Sequence, residues 1–445
     1  MGERSRARPH ASLRVGFFLG LRMLRRANRW TAILTVLVMS LTFLNLVAVS
    51  GILVGLIEGS VTANRDQYTA DIFISELPGK ERIEETSRVI ATVAAAPGVS
   101  RYSARTMAGA TVEANYRTRR DPTLDRDSVG TSLVGIDVEA EDAVTGLSKY
   151  VAEGRYLRPD EEGAILIGAN LLDRYSAGFG DGFSSLENVY PGDRVLVTVS
   201  DGAGERSIGP GGGSADGDVS SSGAREFTVA GIVDSKVDAT SIRVFMNERE
   251  LRSMAGLTSG DVNEVAVRLR PGADADATKR YLVGAGLDDL AKVRTFREAI
   301  PEFLEQIQAT FGLLGNLIGA VGLAVAAITI FIVVFVSAVT RRKQIGIMKA
   351  IGVTPRAIIV AYVSQALAYS AVGIALAAAL IFGFLVPFVD RNPIDFPFSD
   401  GILVATPVGT GIRAAALLLA TVVAGIVPAW LIVRQNTLDV ILGRK

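Results

Sequence analysis

The chain has 445 residues, 46 basic and 46 acidic side chains in formal balance, and a hydrophobic content of 49%. Cysteine is absent and the one histidine, His10, lies in a basic tail. This excludes disulfide and thiol chemistry and leaves a His-based metal site or catalytic triad without support. The hydrophobic excess is gathered into four runs, 31–57, a stretch within 306–340, 358–389 and 414–433. Each is long enough for the roughly 20 helical residues that cross a bilayer core.

Eight arginines precede Trp30 against the single acid Glu3. Over 12–29, Leu13, Val15, Phe17, Phe18, Leu21 and Leu24 interleave with Arg14, Arg22, Arg25 and Arg26. That is the pattern of an amphipathic helix on a membrane surface, with its arginines toward anionic headgroups. Residues before Ala11 read as a disordered basic tail. The uncharged run at 31–57 is much longer than the core of a cleaved signal peptide, about 7–15 residues, and reads as a first span.

Residues 58–308 carry 41 acids and 28 bases and form a separate α+β domain. A strand at 71–75, a helix at 81–95 and a strand within 99–112 make one β-α-β unit. A strand at 265–269, a helix at 273–282 and a strand at 292–294 make a second. Two such units at the two ends of one region suit a ferredoxin-like sandwich. A β-rich insertion at about 150–250 separates them, with strands at 164–167, 193–198, 226–233 and 241–245. Its Gly/Ser/Asp-rich stretch 201–223 reads as a flexible loop. The run Gly209–Ser214 lacks the Gly-Lys-Ser/Thr of a phosphate loop, and Asp216 and Asp218 lack the closing glutamate of a calcium loop. An amphipathic stretch, 296–308, leads into the second span at 309–340. Both this span and the first are expected to continue as helices beyond the bilayer. Gly312, Gly315, Gly319 and Gly322 share one face there and suit close helix packing.

Between the second span and the third, 358–389, lies a basic loop, 341–357, with five basic residues and no acid. Charges at mid-bilayer are costly, so this segment must lie outside the hydrocarbon. An outer loop, 390–412, leads to the fourth span, 413–433, and a tail, 434–445. The distribution of Lys and Arg puts both termini and the 341–357 loop in the cytoplasm and 58–308 outside. Within the loop, Gly352 suits a helix C′ position, and Thr354 then Pro355 suit the N-cap and first turn of the next helix. Ile347, Met348 and Ile351 form an apolar tip among Arg342, Lys343, Lys349 and Arg356, the composition of a docking surface for a soluble partner.

The sequence Arg341-Arg342-Lys343-Gln344-Ile345-Gly346-Ile347-Met348-Lys349-Ala350-Ile351-Gly352 resembles the signature of the macrolide-exporter, lipoprotein-release and FtsX-like ABC permeases. One span, a large outer domain and three further spans are similar to that family throughout 12–440. The resemblance implies a loop that touches a separate cytoplasmic ATPase subunit through Arg341, Arg342, Lys343, Gln344, Ile347, Met348, Lys349, Ile351 and Gly352. It also implies a permease that works as a dimer with a second copy or a paralogue. ATP and magnesium would then bind the partner ATPase, since no GxxxxGK[ST] occurs in this chain. No catalytic residue, cofactor or metal is expected here, and nothing points to nucleic acid. Three positions depart from the family pattern: Gln344 and Gln365 stand where Glu is common, and Val440, not Pro, follows Asp439. The implied function couples ATP hydrolysis to rearrangement of the outer domain, in export, lipoprotein release or mechanotransmission. The alternative is a membrane-anchored receptor or scaffold without ATP coupling.

Overall fold

The computed structural model describes residues 9–25, 29–117, 126–176, 184–200, 221–300, 302–392 and 403–434. They divide into two compact units, one of helices before Glu58 and after Leu304, the other spanning Glu58–Leu304. The phosphate-loop-like run, both loop aspartates and the C-terminal tail lie outside the described residues.

The chain opens with α1 (Pro9–Arg25) and α2 (Arg29–Asn64), the latter 36 residues without a break. A five-residue π-helical turn, Arg65–Thr69, follows directly. The outer unit then begins with β1 (Ile72–Ser75), α3 (Thr86–Ala95) and β2 (Val99–Glu113). The helix starts later than its composition suggests. Ile83 leaves the helical path to bond Val262, its N–H donating to that carbonyl at 2.8 Å, and Glu85 is left-handed at φ 49°. Burial of Ile83 in the sheet therefore outweighs the helix propensity of 81–85.

The middle of the unit holds β3 (Ser128–Ile136), α4 (Val138–Thr145), β4 (Val151–Gly154), β5 (Ala164–Gly168), a single helical turn α5 (Asp173–Ser176) and β6 (Arg194–Ser200). Next come β7 (Ser221–Val233), a second short turn α6 (Asp238–Ser241), β8 (Arg243–Asn247) and α7 (Glu248–Met254). The unit ends with β9 (Glu264–Leu269), α8 (Ala275–Gly284) and β10 (Lys292–Thr295). Beyond β10, Phe296–Ile300 is a turn rather than helix, because the Phe296 N–H bonds Asp71 O at 3.1 Å.

The two terminal β-α-β units interleave. Strand order is β10-β1-β9-β2 with every neighbour antiparallel, the split β-α-β arrangement. One core contains Ile72, Ile74, Val265, Val267 and Val293 from the strands with Val89, Val93 and Leu282 from α3 and α8. The second half of β2 belongs to another structure. It pairs with β3 and β6, and the ladder β2-β3-β8-β5-β7-β6-β2 closes on itself. Closure removes exposed sheet edges. Its core holds Val112, Leu133, Ile165, Ile167, Val195, Val197, Phe227, Val229 and Val244. The insertion thus starts at 128 rather than near 150. The strand Ser128–Ile136 carries two glycines and small polar residues, so its own sequence signals it weakly.

The helical unit resumes with α9 (Glu302–Thr340), α10 (Arg342–Ala350) and α11 (Pro355–Leu380). A π-helical turn, Ile381–Leu385, links α11 to α12 (Val386–Arg391). Pro387 has no N–H to offer the preceding turn, and the wider turn takes up that mismatch. Helix α13 (Pro407–Val433) completes the unit. Among the described residues, four helical stretches are long and apolar enough to span a membrane: Arg29–Thr69, Ala309–Thr340, Pro355–Val389 and Pro407–Leu431. Met39, Ile330, Val334, Ile358, Tyr362, Ala366 and Ala424 form the core among them. Outward, Leu313, Leu317, Val321, Ile328 and Ile332 of α9 are exposed, a surface suited to lipid or another helix rather than water.

Candidate functional site

The basic loop contains a helix of its own. Arg341 leaves helical geometry at φ −102°, ψ 15°, and α10 begins with Ile345 N–H donating to Arg341 O at 3.1 Å. Ile345 is the anchor, 2% exposed in the core with Val334, Ala338, Ile358 and Tyr362. At the other end, Gly352 N–H donates to Lys349 O (3.1 Å) and Val353 N–H to Met348 O (2.9 Å). With Gly352 at φ +93°, these two bonds form a Schellman closure. Thr354 is the N-cap of α11 and Pro355 opens its first turn, although the Thr354 hydroxyl makes no capping bond.

Burial separates the candidate contact residues. Ile347 and Ile351 are 57% and 75% exposed. Arg342, Lys343, Gln344 and Gly352 are exposed as well, while Arg341, Met348 and Lys349 are half-buried. Gln344, Ile347 and Ile351 lie at i, i+3 and i+7 and form the open stripe. Met348 sits on its shoulder, packed partly against the core. The apolar tip is therefore two isoleucines wide, and Gln344 extends it.

The glycine face of α9 packs unevenly. A Cβ on Gly315 would come 2.9 Å from Leu53 Cδ1, while on Gly319 and Gly322 it would meet Leu46 Cδ1 at 3.7 and 3.8 Å. Gly312 faces open space. Tighter contacts occur at glycines the sequence reading did not single out. A Cβ on Gly16 would lie 2.7 Å from Ala357 O, and one on Gly20 would lie 1.9 Å from Ser364 Oγ and 2.7 Å from Ala361 O. Helices α1 and α11 thus run side by side in the same direction, through a Gly-xxx-Gly spacing that was the available signal. Gln365 is 7% exposed; its Nε2 donates to Tyr369 OH at 3.1 Å, and its Oε1 has no partner among the described residues.

In the outer unit the π-helical turn is held by many polar contacts. Arg65 Nε donates to Asp71 Oδ1 (2.7 Å), and its guanidinium lies over the Phe296 ring (4.9 Å). Gln67 Oε1 accepts from Ser235 Oγ (2.7 Å) and Lys236 N–H (3.0 Å). Tyr68 OH donates to Glu264 Oε1 (2.6 Å), and Tyr68 O accepts from Arg105 Nη2 (2.8 Å). Arg105 itself is 2% exposed and donates to both oxygens of Glu141 (3.0 and 2.7 Å) and to Glu264 (3.4 Å). Ser103 and Thr145 complete the shell of Glu141. Burial alone pushes both carboxyls up. For Glu141 the Arg105 charge and hydrogen bonds outweigh it, and for Glu264 the charges of Arg243 and Arg105 do, so both stay below the usual range. No group of three His, Cys, Asp or Glu among the described residues could hold a metal ion.

A MacB-like periplasmic core domain model matches residues 32–285, and an FtsX-like permease C-terminal model matches 316–437. The chain belongs to the MacB/FtsX-like family of ABC-type permeases. The FtsX-like match takes in α10 whole, and the MacB-like match takes in the π-helical turn with Arg105, Glu141 and Glu264. Among solved structures, the chain is similar to the periplasmic region of MacB from Actinobacillus actinomycetemcomitans. That alignment has 13% identity and a TM-score of 0.34, covering 53% of this chain and 92% of that one. A second is the extracellular domain of the noncanonic ABC-type transporter YknZ from Gram-positive bacteria, at 14% identity and a TM-score of 0.30, covering 50% and 99%. No curated protein sequence matches the chain. As a family member, this MacB/FtsX-like permease is a membrane protein with an extracytoplasmic segment.

Proposed function

We propose that this permease receives ATP-driven movement at α10 from a separate cytoplasmic ATPase subunit and passes it to its extracytoplasmic domain, working as a pair with a second permease chain. ATP and magnesium are held by the ATPase, and both termini of the permease lie in the cytoplasm. The observation that carries this reading is α10 itself. It is a short helix fixed by buried Ile345, yet it leaves Ile347 and Ile351 exposed among Arg342, Lys343 and Arg356. Those cations disfavour hydrocarbon, and an apolar stripe of this kind is disfavoured in water, so a protein surface is the fitting neighbour. Helix continuity supports transmission: α2 and α9 run 36 and 39 residues without interruption, and α2 passes into the polar-bonded turn at 65–69.

The test is affinity recovery from native membranes. The wild-type chain is expected to bring down a P-loop ATPase, and Ile347→Glu with Ile351→Glu is expected to lose it while remaining folded. A wild-type chain that recovers no ATPase, with transport or signalling intact in the double variant, would leave the receptor or scaffold reading in its place.

A further inference from the structure

We infer that the polar cavity between α2, α9 and α11 is a site for one ordered water molecule, which bridges Tyr362 and Gln365 inside the membrane-spanning bundle. This inference stands independently of ATPase docking. The cavity has a volume of about 10 Å3, and a single water needs roughly 10–15 Å3 of such space. Half of its lining is polar: Thr35 from α2, Ser337 from α9, and Tyr362, Gln365 and Tyr369 from α11. The three on α11 stand at i, i+3 and i+7 and so share one face of that helix.

Two atoms at this cavity need a partner. Tyr362 is 1% exposed and Gln365 7%, yet the Tyr362 hydroxyl and Gln365 Oε1 have no hydrogen-bond partner among the described residues. Gln365 Nε2 already donates to Tyr369 OH, and turning the amide over only moves the orphan from oxygen to nitrogen. Hydrocarbon offers neither donors nor acceptors, so the lipid cannot satisfy them. One water can. It donates to Gln365 Oε1 and accepts from the Tyr362 hydroxyl. Its second hydrogen goes to Thr35, whose own hydroxyl hydrogen is directed to Thr31 O at 2.7 Å, leaving the oxygen able to accept. That makes three bonds, the usual number for a buried water. A cation suits the cavity less well, because none of the lining residues is charged, whereas hard cations take about six oxygens with carboxylates among them. Tyr362 packs in the same core as Ile345, so the site borders the core that anchors α10.

The full chain in lipid bilayers, isotope-labelled at glutamine nitrogen, tests this by magnetisation transfer from water in solid-state NMR. The Gln365 side-chain amide, assigned by its loss in Gln365→Met, is expected to receive water magnetisation despite its burial in the bundle. No transfer to that amide overturns the inference. Melting of the purified chain in detergent gives a second readout, decided by sign. A dry orphan hydroxyl destabilises the fold, so its removal in Tyr362→Phe would raise the melting temperature. A hydroxyl that holds the water stabilises the fold, so Tyr362→Phe should instead lower it by about 2–4 °C, the scale of one hydrogen bond. The same substitution should cost less in a Gln365→Met background, because the two side chains act through one shared molecule. A raised melting temperature in Tyr362→Phe, or strictly additive effects of the two substitutions, overturns the inference. So does a melting temperature that rises with sodium chloride and not with choline chloride, which would give the site to a cation.

Discussion

Arg105 shows how much a single residue can hold in this protein. It lies on β2 where that strand leaves the interleaved sheet for the closed one, and it bonds α4, β9 and the turn that ends α2. Removing one partner of a buried ion pair strands the others, at a cost of about 3–5 kcal/mol. Arg105→Met is therefore expected to destabilise the outer unit by that amount, as measured by pulse proteolysis in urea. Acid should expose the same network. Glu141 and Glu264 have folded pKa values below the ordinary carboxylate, so their contribution is fully present above about pH 4.3 and is lost as pH falls through the lowered folded values. Asp127, Asp238 and Glu250, pushed up by burial, pull the other way at higher pH. Wild-type stability should thus rise slightly on mild acidification and then fall, and Arg105→Met should show a shallower fall, since Arg243 still holds Glu264 below the usual range; a melting series from pH about 6 to about 3 reads both. Gln365 illustrates the opposite case. A glutamate there would bury a charge with no cation among its described contacts, so Gln365→Glu should lower the melting temperature of the chain in detergent. None of these contacts was legible in the sequence, because Arg105 is 36 and 159 residues from its two carboxylates.

At the scale of the element, α10 was the most legible part. Glycine at a C′ position and Thr-Pro at the next helix start are local devices, and local geometry uses them as their chemistry dictates. The apolar tip was only partly legible, because which of Ile345, Ile347, Met348 and Ile351 is buried depends on the neighbouring helices. The start of α3 misled for the same reason: Ile83 is apolar at helical spacing but pairs with Val262. Packing of α1 on α11 makes a sharp test. Gly20→Leu would drive a side chain into Ser364 and the Ala361 carbonyl, so it should release α1, seen as faster proteolysis within 9–25. Gly312→Ala, with nothing within 4 Å of its Cβ, should leave the protein unchanged in the same assay.

For the molecule as a whole, the prediction concerns orientation. The chain has no cysteine, so single introduced cysteines report alone. Tyr190→Cys, at a half-exposed site of the outer unit, should react with a membrane-impermeant maleimide on intact cells, and Ile351→Cys only after the membrane is opened. The reverse pattern would invert the proposed topology. Four spans, an acidic domain between the first and second, and a shaped basic helix between the second and third are readable in the amino-acid order alone. Those follow from hydropathy, charge and turn residues, each a property of a short stretch of chain. That β2 serves two sheets, that six strands close on themselves, and that Arg105 and the turn at 65–69 share one buried network emerges only in the packed chain. Strand pairing and ion pairing there join residues tens to hundreds of positions apart, and nothing in either partner's immediate sequence names the other.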